Sequence, residues 1–105
     1  MNAQEILSKL PTAIKVEEAD GVEGTAQLNI STPSYVTIKD GECTVHQGVA
    51  DEADVTLTLV DDVLVQLLTG KLNGVTAFMT GKLKVDGDLM LAKTFPEMFD
   101  AAKLV

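Results

Sequence analysis

The chain has 105 residues, of which 46% are apolar and 23% are charged, and its net charge is −8 at pH 7. This length suits one domain over residues 1–105, and the apolar share excludes extended disorder. The longest apolar run is four residues (89–92), whereas a membrane-spanning helix needs about 20. No basic segment precedes an apolar one near the start, so we expect no secretory signal.

The charges argue against nucleic acid as a partner and are unevenly distributed. There is no arginine, and 8 lysines stand against 16 carboxylates. Residues 1–70 hold 3 lysines and 12 carboxylates (net −9), whereas residues 71–105 hold 5 lysines and 4 carboxylates (net +1). The same C-terminal third contains a cluster of flexible apolar residues: Phe78, Met79, Met90, Phe95, Met98 and Phe99.

The first predicted element is a short helix. Asn2 and Glu5 have the spacing of a capping box, and the apolar residues that follow have helical spacing. Pro11 should end or bend this helix near Leu10. The acidic, glycine-containing stretch 17–24 is predicted to be a connector.

Four runs with a period of two predict strands that each have one apolar face, at residues 25–31, 35–39, 42–46 and 54–60. Asp40-Gly41 predicts a type I′ hairpin turn between the second and third strands. Because the other face is polar in each run, we expect an antiparallel meander with one solvated side.

The period changes at Asp61-Asp62, which we expect to cap a helix that closes with Gly70. A helical turn, a fifth strand and a final helix are predicted at residues 75–80, 82–86 and 89–103. Pro96 must kink or divide the final helix. The predicted fold class is therefore α+β, with a five-stranded, mainly antiparallel sheet covered on one face by helices.

The helical cover of this sheet is short, interrupted by glycines and rich in Met and Phe. Since methionine is flexible and fills irregular gaps, such a cover could close over an apolar guest. The residues by themselves nevertheless favour an ordinary core, because apolar stripes at helical spacing usually just pack.

We identify no catalytic residue. Ser8, Ser31 and Ser34 lack a nucleophile-elbow sequence, and His46 is predicted on the solvated face of a strand. Cys43 is predicted to point inward as an inert thiol. Because it is the only cysteine, an intramolecular disulfide is excluded, and a reducing compartment fits this cysteine content.

We also predict no metal site and no cofactor. None of the acidic clusters has the spacing of a calcium loop. The segment before Gly81-Lys82 lacks the first glycine of a phosphate loop, and Leu83 stands where Ser or Thr should follow. The C-terminal lysines have two interpretations, namely contact with a head group or membrane surface, or ordinary edge-strand charges: Lys71, Lys82, Lys84 and Lys93.

Several ordered segments resemble the sterol carrier protein type 2 domain family. The most specific are Thr69-Gly-Lys-Leu-Asn73 and Ala77-Phe-Met-Thr-Gly-Lys-Leu-Lys-Val-Asp-Gly-Asp88. Asp54-Val-Thr-Leu-Thr-Leu59, Leu91-Ala92 and the hairpin Tyr35–Val45 are also similar, so the resemblance covers roughly residues 5 to 99.

This resemblance implies helices that enclose an apolar tunnel for a fatty acid, fatty acyl-CoA, sterol or phospholipid, and it implies no catalysis. The residues expected to bind lipid are Leu67, Leu68, Leu72, Val75, Phe78, Met79, Leu83, Val85, Met90, Leu91, Phe95, Met98 and Phe99. The resemblance leaves a second role open, that of an accessory module presenting a lipid to a separate enzyme, such as an isoprenoid-quinone biosynthesis factor.

Three features depart from the family pattern. Pro96 interrupts the last helix, and the charge of −8 is unsuited to firm adhesion to anionic membranes. Ala102-Lys-Leu104 resembles a peroxisomal tripeptide, but Val105 follows it. We therefore expect a cytoplasmic carrier, monomeric or weakly dimeric, that contacts membranes transiently.

Overall fold

The structure is a computed structural model that describes residues 2–104. Its elements in chain order are α1 (Ala3–Ala13), α2 (Val16–Ala19), β1 (Gly24–Asn29), β2 (Ser34–Lys39), β3 (Glu42–Gln47), β4 (Val55–Thr58), α3 (Asp61–Leu68), α4 (Gly74–Met79), β5 (Lys84–Gly87) and α5 (Leu89–Thr94). Two 3₁₀ helices follow α5, at Phe95–Met98 and Ala101–Lys103.

Helix α1 begins with the predicted cap. Asn2 Oδ1 accepts a hydrogen bond from the Glu5 N–H at 2.9 Å, and Asn2 Nδ2 donates to Glu5 Oε1 at 3.0 Å. The helix ends at Ala13, beyond the predicted end near Leu10, because Pro11 lies in the last turn and removes only one N–H donor there. The Ala13 carbonyl accepts from the Asp100 N–H at 2.8 Å, which ties this helix end to the C-terminal segment.

The predicted connector 17–24 is partly structured, because α2 (Val16–Ala19) extends into it and β1 begins at Gly24. Ala19 is fully buried at the end of α2, and the Ala19 N–H donates to the Lys15 carbonyl at 3.0 Å. Burial of this single alanine gives a structural reason for the turn, whereas the acidic residues around it are exposed and carry no periodic signal.

The five strands form one sheet in the order β3-β2-β1-β4-β5. Three pairs are antiparallel, whereas β1 and β4 are parallel, with Leu28 opposite Leu57. The predicted α+β fold with a mainly antiparallel five-stranded sheet is confirmed, but the prediction that the first four strands form a meander was wrong, because β4 pairs with β1 rather than with β3. After β3 the chain crosses back to the free edge of β1. The buried Gln27 side chain is hydrogen-bonded to the connection between β3 and β4: its Nε2 donates to the Gly48 carbonyl (3.1 Å), and its Oε1 accepts from the Ala50 N–H (2.8 Å).

The hairpin turn between β2 and β3 is confirmed. Asp40 and Gly41 both have positive φ, of 54° and 76°, which is the backbone geometry of a type I′ turn. It sets the register in which Ile38 faces Cys43 and Val36 faces Val45.

Helix α3 does not begin as predicted. Asp61 is its first residue, preceded by Val60 without a side-chain cap. The Asp61 carboxylate instead accepts from the Ser31 N–H at 2.9 Å and from Ser31 Oγ at 2.5 Å, and these bonds lower the pKa of Asp61. They tie the segment after β1 to the start of α3.

The C-terminal segment is divided at Pro96, as expected. Helix α5 ends at Thr94, Pro96 lies in the first 3₁₀ helix, and Asp100 caps the second. One face of the sheet packs against the helices. The largest fully buried side chains of this core come from α1, the sheet, α3 and the C-terminal segment: Ile6, Leu7, Leu10, Leu28, Val36, Ile38, Leu57, Leu64, Leu68, Phe95, Met98 and Leu104.

Candidate functional site

An apolar cavity of about 660 Å³ lies between the β4–β5 end of the sheet and the helices. Its volume is in the range of about 300–1,000 Å³ that is typical of small-molecule sites. The lining is mostly hydrophobic: Leu57, Leu67, Leu68, Gly70, Leu72, Gly74, Val75, Phe78, Leu83, Val85, Leu89, Ala92, Pro96, Phe99 and Ala101. Four polar side chains complete it: Lys15, Asn73, Lys93 and Glu97.

The floor of the cavity comes from the sheet. Leu57 on β4 and Val85 on β5 are cross-strand partners, and both line the cavity. Leu83 directly precedes β5 and also lines the cavity. The glycine that ends β5 allows the close approach of these strands: a Cβ on Gly87 would lie 2.5 Å from the Asp54 carbonyl oxygen.

Helices α4 and α5 form the sides, and a side-chain cap fixes the start of each. Asn73 Oδ1 accepts from the Val75 N–H (2.8 Å) and the Thr76 N–H (3.3 Å). Asp88 Oδ1 accepts from the N–H groups of residues 90 and 91. Val75 and Phe78, three residues apart in α4, both line the cavity, and Ala77 between them is fully buried.

The structure brings eight of the thirteen predicted lipid-binding residues together at the cavity: Leu67, Leu68, Leu72, Val75, Phe78, Leu83, Val85 and Phe99. The other five lie elsewhere. Met79 and Met90 are on the surface, outside the cavity lining. Leu91, Phe95 and Met98 are buried in the core, because their face of the C-terminal segment packs inward.

Several residues of the lining are not among those predicted to bind the lipid chain, although Lys93 is one of the lysines predicted as a possible head-group contact. Leu89, Ala92, Lys93 and Pro96 follow one another at helical spacing, and this periodicity could have identified the cavity face of α5. The inward alternation of β4 indicates Leu57 in the same way. Lys15 has no such signal, because its place depends on the pairing of Ile14 with Phe99, far apart in sequence.

Two lysines provide positive charge at the cavity. Lys15 and Lys93 line it and have exposed side chains, together with the exposed Glu97. Over residues 2–104 the one ion pair is that of Lys39 with Glu23, at 3.9 Å, so neither cavity lysine is engaged in a salt bridge there. Lys71, Lys82 and Lys84 are exposed and do not line the cavity.

The polar residues considered for catalysis are separated from the cavity. Ser31 binds Asp61, Ser34 Oγ donates to the Thr32 carbonyl at 3.1 Å, and Ser8 Oγ donates to the Glu5 carbonyl at 2.7 Å. His46 is exposed on the outer face of the sheet, where it stacks on Tyr35 with 5.0 Å between ring centroids. In the part of the chain that the structure describes, no group of three metal-ligating side chains is assembled.

Cys43 is buried on the inner face of β3, and burial raises the pKa of its thiol to about 12. Only the thiolate reacts with alkylating reagents, and at pH 8 its fraction should be about 10⁻⁴, against about 10⁻¹ for an ordinary thiol. We expect iodoacetamide to label the folded protein roughly 1,000-fold more slowly than the protein in urea, as followed by mass spectrometry. Equal labelling rates in the two conditions would contradict the inert assignment of Cys43.

No helix within residues 2–104 is long and apolar enough to cross a membrane.

Comparison with known proteins supports one family. Residues 3–100 match the SCP-2 sterol transfer family. Sterol carrier protein 2 of Bos taurus is 44% identical over 57 residues, which is 54% of this chain and 10% of the bovine protein. This chain thus corresponds to a small part of the bovine protein's length.

Solved structures show the same fold. Palmitated SCP2L2 from Aedes aegypti superposes with a TM-score of 0.70 at 27% identity, covering 92% of this chain and 93% of that protein. A UbiJ-SCP2 ubiquinone synthesis protein gives a TM-score of 0.74 at 21% identity, covering 98% and 92%, and this likeness concerns the fold alone. With its matching sequence, five-stranded sheet and apolar cavity, the chain belongs to the SCP-2 sterol transfer family.

Proposed function

We propose that this protein is a non-enzymatic lipid carrier that binds the apolar chain of a fatty acid or related lipid in the cavity of about 660 Å³. That cavity is the single observation that carries the proposal, because its lining is predominantly hydrophobic and lies between helices and sheet. The palmitated state of the Aedes aegypti structure supports a fatty acid as the ligand class. We propose that residues 1–105 form one such lipid-binding domain.

The mechanism we propose is desolvation. Each methylene that moves from water into the cavity contributes about 0.8 kcal/mol, so a chain of about 12–16 carbons contributes roughly 10 kcal/mol before the costs of association are subtracted. The eight predicted residues that line the cavity would contact this chain. Lys15 and Lys93 are exposed, so an ion pair with a lipid carboxylate should add no more than about 1 kcal/mol.

The function is tested by measuring what the cavity binds. Protein purified from a heterologous bacterial host should carry a copurified lipid, which extraction and mass spectrometry would detect. In vesicle-free solution, the affinity for saturated fatty acids should rise with chain length, since burial of methylenes dominates. Methyl esterification should change the affinity by less than about fivefold, because the cavity lysines are solvated. Absence of copurified lipid together with absence of fatty acid binding would refute the proposal.

We also propose how the carrier meets its surroundings. It should contact membranes transiently, since the overall charge of −8 opposes firm adhesion to anionic lipid. We propose a monomer or weak dimer in the cytoplasm. Val105, which follows the segment that resembles a peroxisomal tripeptide, lies outside the described part of the chain.

A second candidate function is an accessory module that presents a lipid to a separate enzyme. It is supported by the fold that this chain shares with the UbiJ-SCP2 ubiquinone synthesis protein. Gene neighbourhood and affinity purification from the native source discriminate the two functions. A stable stoichiometric enzyme partner would favour the accessory role, and its absence would favour the free carrier.

A further inference from the structure

Five large apolar side chains are exposed on α4 and α5, and we call this group the apolar rim: Val75, Phe78, Met79, Leu89 and Met90. Each is 55–79% exposed, whereas three other large hydrophobic residues at more than 60% exposure are scattered over the rest of the described surface. Exposed apolar residues that occur singly need no explanation, but a cluster of this kind marks an interaction surface.

The apolar rim is continuous with the cavity. Val75, Phe78 and Leu89 belong both to the rim and to the cavity lining. Met79 follows Phe78 on α4, Met90 follows Leu89 on α5, and both methionines are exposed. Because they do not line the cavity, the proposed lipid site gives them no role.

Three exposed lysines lie on or near the segments that carry the rim and the cavity lining. Lys93 lines the cavity, and Lys71 lies between Gly70 and Leu72, which also line it. Lys82 lies three residues beyond the end of α4, in the turn where its N–H donates to the Ala77 carbonyl at 2.9 Å. Lys84 is not one of these lysines, because side chains alternate along β5 and Lys84 therefore lies on the face opposite Val85.

The acidic residues near the rim do not cancel these charges. Asp88 and Glu97 are the carboxylates of α5 and the following turn, and the Asp88 carboxylate caps α5. Residues 71–105 carry a net charge of +1, against −9 for residues 1–70. An apolar surface bordered by lysines is complementary to an anionic bilayer, whereas a second copy docked symmetrically on this surface would bring the lysines together.

We propose that the apolar rim inserts into the head-group layer of an anionic phospholipid bilayer, with Lys71, Lys82 and Lys93 contacting lipid phosphates. This inference rests on the proposed lipid carriage and specifies where the exchange occurs. A lipid then moves between bilayer and cavity past Phe78 and Leu89 without crossing water. The net charge of −9 on residues 1–70 is repelled by anionic lipid and keeps the contact short-lived.

The test uses the full chain and vesicles of phosphatidylcholine, either alone or mixed with phosphatidylglycerol. The variant Met79→Ser/Met90→Ser removes apolar surface outside the cavity. Val49→Ser/Val60→Ser is the matched control, because these valines are 74% and 65% exposed but belong neither to α4 or α5 nor to the cavity lining. Co-sedimentation measures vesicle association, and fatty acid binding in vesicle-free solution shows whether the cavity still functions.

We expect wild type to associate more strongly with the mixed vesicles than with phosphatidylcholine alone. The methionine variant should associate at least about tenfold less, since each buried methionine side chain contributes substantially to insertion. The control should match wild type, and all three proteins should bind fatty acid equally. Lys71→Glu/Lys82→Glu should lose the preference for the mixed vesicles.

The inference is overturned if wild type fails to associate with either vesicle, or if the methionine variant and the control associate equally. It is also overturned if the methionine substitutions abolish dimerisation in sedimentation velocity rather than vesicle association. If wild type does not bind fatty acid, the proposed carrier function is refuted. The vesicle measurement would still test the membrane contact independently.

Discussion

Substituting Phe78 by glutamate should weaken fatty acid binding roughly tenfold to a hundredfold while the protein remains folded. Phe78 lines the cavity, and its loss removes apolar contact surface while adding a carboxylate that the bound chain must desolvate. The side chain is more than half exposed, so the glutamate can reach water in the unliganded protein, which is why the fold should survive. Displacement of a fluorescent fatty acid in vesicle-free solution measures the affinity, and circular dichroism measures the fold.

Met90→Glu is the matched control for this substitution. Met90 has the same predicted role from the sequence, but it is exposed on α5 outside the cavity lining. Its substitution introduces the same charge nearby and should leave the affinity within about twofold of wild type, since a solvated surface charge contributes little. Equal weakening by both variants, or no weakening by either, would move the lipid site away from the cavity.

Gly87→Ala should destabilise the domain by about 3 kcal/mol or more and lower its melting temperature by roughly 10–20 °C. Gly87 has a φ of +109°, which side-chain-bearing residues rarely adopt, and an added Cβ would lie 2.5 Å from the Asp54 carbonyl oxygen. Because this oxygen belongs to the backbone, β5 would have to separate from β4. The separation would pull Val85 away from Leu57 and open the floor of the cavity, so fatty acid binding should fall as well.

Gly81→Ala is the control that distinguishes the backbone strain of a positive φ from the steric collision of an added Cβ. Gly81 also has positive φ, of +78°, but no atom lies within 4 Å of the position a Cβ would take. Its substitution should cost only about 1 kcal/mol. Urea unfolding of both variants provides the free energies. If Gly87→Ala unfolds at the same urea concentration as Gly81→Ala, the close approach of β4 and β5 contributes nothing to stability.

Local features of this fold could be predicted because they depend on neighbouring residues. The Asn2 cap needs only Glu5 three residues on, and the turn at Asp40-Gly41 needs only two residues that tolerate positive φ. Pro96 divides the last helix for a similarly local reason, since it removes a donor and obstructs the preceding turn.

The sheet order could not be predicted from the same patterns. A period of two shows which face of a strand is buried but not which strand lies beside it. The parallel pairing of β1 with β4 depends on a crossing that the buried Gln27 binds through the Gly48 carbonyl and the Ala50 N–H. Asp61 illustrates the same limit, because its carboxylate binds Ser31, thirty residues earlier, rather than capping its own helix.

The sequence by itself determined the secondary-structure periods, the breaks between elements, the family and the apolar character of the residues that surround the cavity. Only the tertiary structure decided that Phe78 and Phe99 line the cavity whereas Phe95 and Met98 fill the core, and that Lys15 lies at the cavity. The physical reason is that periods and turns arise from contacts within a few residues. The lining of a cavity arises from how whole helix and sheet faces pack, and several packings satisfy the same hydrophobic pattern.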